Sequence, residues 1–292
     1  MLGAAEAVSH GAITIVNAMA TGRGAALGVD LQTRATVTVT DRPGMFVARN
    51  LSAPQENAEL AKVVAQSIFA RFGAEKSFGA IVETVSNIPV AVGLKSSSAA
   101  SNAVALASLH ALGRKVSDVE IVRLGVQASF RAGVTLTGAF DDACACYFGG
   151  VVVTDNVKRS ILKRFRPKAM RVLIHVPKMK RYTRDVNPSS FRSIRPFIRA
   201  ANRSALRGDY WNSMTLNGLL YSMALGYDTE ATAMALESGA VAAGLSGKGP
   251  AVAAIVPASK KDNVRAAWRR IKGQVIETSF NFQKASAGRL PR

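Results

Sequence analysis

Apolar and polar positions along the chain follow two different periods, and these predict most of its elements. ATVTVT (35–40) alternates strictly, as a strand with one buried face must. It ends a longer segment, 11–42, that reads as a strand, a glycine-rich turn and a second strand. The turn, ATGRGAALG (20–28), holds Gly22, Gly24 and Gly28; its backbone could approach a ligand closely or simply close a hairpin. QENAELAKVVAQSIFARF (55–72) has the helical period, and FGAIVETVSNIPVA (78–91) reads as a strand running into a turn. A helix over SAASNAVALASLHA follows, with Gly113 placed to close it. Ser117 and Glu120 make a capping box at the start of the next helix, 117–133. Residues 135–156 read as a polar loop, a short apolar segment and a strand.

Beyond residue 156 the pattern predicts a strand (171–177), a basic connector and helices at about 190–207, 209–225 and 228–239. A glycine-rich loop leading into a strand (242–257), a helix (260–273) and a last strand (274–282) complete it. This order defines an α+β class in which helices cover one face of a small antiparallel sheet. A chain of 292 residues is expected to form two lobes rather than one core, divided into 1–156 and 157–292 where a basic segment begins.

Composition excludes several alternatives. Hydrophobic residues make up 48% and charged residues 20%, which supports a packed core rather than disorder. No apolar run approaches the ~18–20 residues of a membrane span, and the first residues lack the pattern of a signal peptide, so a cytoplasmic protein is expected. Cys144 and Cys146 form C-x-C, which would place both on one face of a strand; the spacing suits neither structural zinc nor a redox pair, so reduced core thiols are expected. His10, His110 and His175 are scattered and suggest no metal cluster.

Net charge is +19 and the pI about 10.6, which points to anionic partners of some kind. Much of the charge lies in KRSILKRFRPK (158–168), KMKRYTR (178–184) and Arg192, Arg195, Arg199, Arg203 and Arg207. Those five arginines, spaced by three and four, would share one side of a helix. A solvated face or an RNA-binding surface would both account for them; the lack of interleaved aromatic residues argues against nucleic acid.

Three stretches can carry chemistry. In IPVAVGLKSSSAA (88–100) a helix starting near Ser97 or Ser98 would offer free N–H groups and hydroxyls to an anion, or would simply be capped by serine. It lacks Walker A spacing. GLSGKGPA (244–251) is a second glycine-rich loop carrying Lys248, suited to an oxyanion or to a tight turn. TGAFDDA (137–143) sets Asp141 and Asp142 side by side in an apolar setting, as a base, a metal ligand or a turn aspartate. Adjacent side chains diverge, so at most one is expected to face a given ligand atom.

Pro89-x-x-x-Gly93-Leu94-x-Ser-Ser-x-Ala together with GLSGKGPA resembles two motifs of the GHMP small-molecule kinases, in order and spacing. GLKSSSAASNA, TGAFDDACACYFGG, TIVNAMATGRGAALGVDL and GDYWNSMTLNGLLYSMALGYD resemble the archaeal-type shikimate kinases within that group. The resemblance implies a two-lobed α+β fold, with an N-terminal ATP-binding lobe like domain 2 of ribosomal protein S5 and a ferredoxin-like C-terminal lobe. It implies transfer of the γ-phosphoryl group of ATP, with Mg2+, to the 3-hydroxyl of shikimate, in chorismate and aromatic amino-acid synthesis. ATP would lie on Pro89, Val90, Ala91, Val92, Gly93, Leu94, Lys95, Ser96, Ser97, Ser98 and Ala99, with Gly247, Lys248 and Gly249 closing over the phosphates. Asp141 would be the catalytic base, and Ser97, Ser98 and Asp142 would hold the metal. Asn17, Thr21, Arg23, Asp141 and Ser246 would meet the acceptor, whose carboxylate calls for Arg23, Arg184 or Arg195. Homoserine kinases of the same group tend to lack the aspartate, so the Asp141–Asp142 pair argues for shikimate over homoserine. The expected partners are small molecules, in a monomer or homodimer.

Two features depart from that pattern. Many GHMP kinases carry a metal-binding glutamate about eleven residues before the aspartate; here that position falls on Phe130, flanked by Ser129 and Arg131. Lys248 replaces a threonine or serine common in the third motif.

Overall fold

The structure, a computed structural model, describes residues 3–135, 138–179 and 188–290. In chain order the strands are β1 (Ala4–Val16), β2 (Arg23–Thr40), β3 (Phe46–Asn50), β4 (Gly79–Ser86), β5 (Val151–Asp155), β6 (Ser160–Phe165), β7 (Arg171–Val176), β8 (Ala242–Leu245), β9 (Val252–Val256), β10 (Gln274–Ser279) and β11 (Ser286–Arg289). The helices are α1 (Glu59–Arg71), α2 (Ser96–Ala111), α3 (Asp118–Arg131), α4 (Phe140–Phe148), α5 (Arg195–Leu206), α6 (Tyr210–Leu225), α7 (Glu230–Glu237) and α8 (Lys261–Trp268).

The expected α+β architecture is present as two sheets. The larger has the order β11-β1-β2-β4-β3, with β5 pairing the first half of β2 and β6 pairing β5. It therefore draws strands from both sides of residue 156. The smaller is the antiparallel sheet β10-β7-β9-β8.

Strand β2 shows how the sequence sets these layers. Its second half alternates buried Leu31, Thr33, Ala35, Val37 and Val39 with outward Gln32, Arg34 and Thr38, as ATVTVT requires. Its first half, Gly24–Val29, is buried on both faces. That half was expected to be a loop. Gly24 and Gly28 instead lie inside the strand, where α4 presses on the backbone: a Cβ at Gly28 would come within 2.9 Å of Ala145 O.

Helix α2 is packed on β1, β2, α1, α3 and α4, and Ala99, Ala103, Ala105, Ala107 and Ala111 are all buried. Small side chains let these neighbours close in at interior density. Ser117 Oγ accepts the Glu120 N–H at 3.3 Å and so caps α3 as expected. The apolar segment after Asp142 is a helix, not a strand: in α4 every residue but Asp142 is buried. An element surrounded on all sides shows no amphipathic period, so its sequence cannot reveal its pitch. Cys144 and Cys146 are buried free thiols on that helix, and burial pushes both well above the ordinary thiol range, which leaves them inert.

In the smaller sheet, Leu173, Ala243, Ala254 and Val256 face α7 and α8, where Trp268 donates to Ala231 O at 2.8 Å. Val172, Ile174, Ala242, Ala253 and Ile255 face the other way and join the main core. Arg192, Arg195, Arg199, Arg203 and Arg207 are exposed; Arg195, Arg199 and Arg203 lie along α5 and Arg207 caps its C-terminal end. No helix among the described residues is long and apolar enough to cross a membrane.

Candidate active site

An open cleft lies where β1, the loop before α2, the start of α4 and the loop between β8 and β9 meet. Its walls include Thr14, Asn17, Gly93, Lys95, Ser96, Ser97, Ser98, Ser129, Asp141, Asp142, Gly247 and Lys248.

The two glycine-rich loops, 150 residues apart in sequence, are bonded together beneath this cleft. Ser246 Oγ donates to Gly93 O at 2.8 Å and accepts from Thr14 N at 3.2 Å. Thr14 Oγ1 accepts from Gly247 N at 2.9 Å, and Asn17 Nδ2 donates to Gly247 O at 2.9 Å. Gly93, at φ +95°, is required here because a Cβ would lie 2.1 Å from Ser246 O. The loop then turns into α2 through Lys95, which adopts φ 65°, ψ 30° and makes no side-chain cap. Ser96, Ser97 and Ser98 therefore start the helix instead of capping it, and their backbone N–H groups have no capping partner. Uncapped amides and the positive end of a 16-residue helix suit a phosphate.

The acid pair occupies the first turn of α4. Asp141 is 3% exposed and rests against Gly24 of β2, where any Cβ would fall 2.0 Å from its Oδ2. Asn156 Nδ2 donates to Asp141 Oδ1 at 2.8 Å, and Asn156 Oδ1 accepts Asp141 N at 3.2 Å and Thr154 Oγ1 at 2.7 Å. Burial, and then repulsion from Asp142, push the Asp141 carboxyl up to about 7, against the pull of the Asn156 hydrogen bond and the Lys95 charge. A carboxyl titrating near neutrality is a competent general base. Asp142 takes a different partner, Lys95 Nζ at 3.1 Å. Both aspartates line the cleft, and as diverging neighbours they turn to different partners, Asp141 to Asn156 and Asp142 to Lys95.

The structure distributes the sequence-predicted residues unevenly. Ala91, Gly93, Lys95, Ser96, Ser97, Ser98, Asn17, Asp141, Asp142, Gly247 and Lys248 line the cleft. Val92, Leu94 and Ala99 are buried beneath it, Gly249 is buried in the second loop, and Pro89 and Val90 border a shallow depression elsewhere. Ser246 is committed to joining the loops and does not face the cleft. Thr21 donates to Arg23 O and accepts from Asn202 Nδ2, and Arg23 is a half-exposed side chain 3.4 Å from Asp155 Oδ2; neither lines the cleft. Arg195 is exposed at the start of α5, and Arg184 lies outside the described residues. Thr14 and Asn156 carry functional positions that the sequence did not single out, and Gly24, read there as part of a turn, is the wall against which Asp141 rests.

Near the missing glutamate, Ser129 faces the cleft and donates to Gly125 O at 2.9 Å, while Phe130 and Arg131 are exposed. Among the described residues no three His, Cys, Asp or Glu converge into a protein-only metal cage. Mg2+ asks for less: it is held through one or two carboxylates plus substrate phosphates and water. The Asp142 carboxylate and the Ser97 and Ser98 hydroxyls, which make no hydrogen bond within the described protein, fit that requirement.

Comparison with known proteins agrees with this geometry. Residues 59–150 match the family described as GHMP kinases N terminal domain, and residues 227–274 match GHMP kinases C terminal. The chain belongs to the GHMP kinases, ATP-dependent phosphotransferases acting on a hydroxyl group. Within that class it is similar to the shikimate kinase of Methanosarcina mazei, with 45% identity over 94% of each chain. It also matches the shikimate kinase of Thermococcus kodakarensis, with 42% identity over 94% of this chain and 99% of the other. The fold is shared with a homoserine kinase from Cytophaga hutchinsonii (TM-score 0.76, 16% identity, 97% of each chain). A mevalonate kinase from Methanococcus jannaschii has a TM-score of 0.74 at 14% identity, over 96% of this chain and 98% of the other.

Proposed function

We propose that the chain is a cytoplasmic shikimate kinase, converting ATP and shikimate to ADP and 3-phosphoshikimate. The observation that carries the reading is the similarity to shikimate kinases along nearly the whole chain, combined with a buried aspartate in the cleft whose carboxyl titrates near neutrality.

Asp141 takes the proton of the acceptor hydroxyl as that oxygen bonds to the γ-phosphorus and the bond to ADP breaks. Asn156 and Gly24 hold its carboxylate in place, so little reorganisation accompanies the transfer. The free amides at the start of α2, together with Gly247 and Lys248, bind the phosphates. Ser97, Ser98 and Asp142 would hold Mg2+, which would supply charge neutralisation for the bound phosphates. Positioning and charge neutralisation are most of what phosphoryl transfer requires. Asn17, which lines the cleft, is assigned to the acceptor. For the shikimate carboxylate we take Arg23, which lies outside the cleft lining but next to Gly24, against which the base rests. A two-pronged ion pair with the substrate would require it to leave Asp155.

A coupled ADP-release assay with Mg-ATP tests the reading directly against shikimate, homoserine, mevalonate and galactose. Turnover with shikimate alone is expected. Background turnover with shikimate, or a clear preference for another acceptor, overturns the assignment.

A further inference from the structure

The side chain of Lys95 has no assigned task in the cleft beyond its ion pair with Asp142. The motif that its loop resembles leaves this position open, and the backbone geometry there argues against a side chain. At φ 65° and ψ 30° a glycine would be unstrained, whereas any residue with a Cβ is strained. The side chain is only 6% exposed, although burying an ammonium is costly unless it is well paired. It donates to Thr14 Oγ1 at 2.6 Å and meets Asp142 Oδ1 at 3.1 Å. An ammonium has three donors. Among the described residues the third finds no protein partner, and the space that Lys95 borders is the cleft. The second loop also makes room for this group: a Cβ at Gly247 would lie 2.8 Å from Lys95 Nζ. One buried cation thus touches Asp142 of the acid pair, β1 and, through Thr14, the second loop.

We propose that Lys95 reads the terminal phosphoryl group of the nucleotide, its free donor binding a γ-phosphate oxygen while Thr14 and Asp142 hold the ammonium in place. This rests on reading the cleft as a nucleotide site, and it adds a reason for the strain: only a side chain leaving the backbone at this turn reaches the junction of all three segments. Ser97, Ser98 and the helix amides hold phosphate without distinguishing a triphosphate from a diphosphate. Lys95 makes that distinction and couples it to Asp142, the neighbour of the base Asp141.

The test is calorimetric titration of the whole chain, with no acceptor present, using Mg-ADP and a non-hydrolysable Mg-ATP analogue. Lys95→Met is expected to weaken the triphosphate analogue roughly ten- to a hundred-fold, as loss of a charge-assisted hydrogen bond would, and to leave ADP within about threefold. Equal losses for both nucleotides, or no loss, overturn the proposal. Lys95→Gly, which relaxes the backbone, must show the same selective loss; if neither variant folds, Lys95 is a structural residue and the proposal falls. Because no acceptor is used, this result stands apart from the choice of shikimate. Selective loss without shikimate turnover would sink the acceptor and keep Lys95, and the converse would do the reverse.

Discussion

Gly24 offers a sharp test of how the base is positioned. Adding one methyl group, Gly24→Ala, would place a Cβ 2.0 Å from Asp141 Oδ2, 2.5 Å from its Cγ and 3.0 Å from its Cβ. Non-bonded atoms need about 3.5 Å, so the carboxylate must retreat by about 1.5 Å or the strand must move. The strand is pinned on both sides, with Gly24 paired to Thr154 of β5 and Ala25 paired to Val16 of β1. The side chain therefore yields, and the 2.8 Å bond from Asn156 Nδ2 breaks. A displacement of about 1 Å at a reacting group costs on the order of a hundredfold in rate, and overpacking a core site costs about 1–3 kcal/mol of stability. Gly24→Ala should thus fold with a lowered melting temperature, bind Mg-ATP analogue as the parent does, and turn over shikimate about a hundredfold more slowly. The assay is initial-rate ADP release at saturating substrates, with thermal melting and calorimetric titration on the same preparation. Turnover within about threefold of the parent would show that Asp141 is not held against β2 for catalysis, and the reasoning would fail.

Two further substitutions test the base and the acceptor site. Asp141→Asn should remove most turnover while nucleotide binding persists, and near-parental activity would exclude Asp141 as the base. The same variant tests the raised carboxyl through stability. Asp141 keeps its proton up to about 7 in the folded chain, above the ordinary 3.8, so its ionisation weakens the fold as pH rises through that window. Asp141→Asn, with no charge to bury, should melt above the parent at pH values above about 7 and converge with it towards pH about 4; a pH-independent difference would refute the shift. Parental turnover should likewise rise with pH through about 7 as the base ionises. Arg23→Ala should raise the KM for shikimate roughly ten- to a hundred-fold and leave the KM for ATP unchanged, whereas an unchanged shikimate KM would remove Arg23 from the carboxylate.

Much of this arrangement was legible in the chain because local rules wrote it. The alternation at 35–40, the cap at Ser117 and the helix running to Ala111 follow from period and capping, and the structure places them there. What local pattern missed lacks a local signature. The segment SILKRF looks like a charge run, yet it is β6, because pairing with β5 and stacking of Arg164 over Phe148 (4.6 Å) make a strand of it. AAGL is β8 and SAGR is β11, the latter with no apolar pattern at all; backbone pairing to the edge of β1 is what orders it. FDDACACYF carries no period because neighbours bury it on every side.

The sequence by itself determined the chemical kit: two glycine-rich loops, three serines at a helix start, two adjacent aspartates and an excess of positive charge. Residue type and short spacing are enough to specify those. Only the tertiary structure decided how the kit works. It set Asp141 against a glycine 117 positions earlier and an asparagine 15 positions later, and it turned Ser246 into a tie between loops instead of a ligand contact. It also carried the Lys95 ammonium to the point where three segments meet. A carboxyl's proton affinity and a cation's partners depend on burial and on distances of a few ångströms, and those distances exist only once remote parts of the chain have packed together.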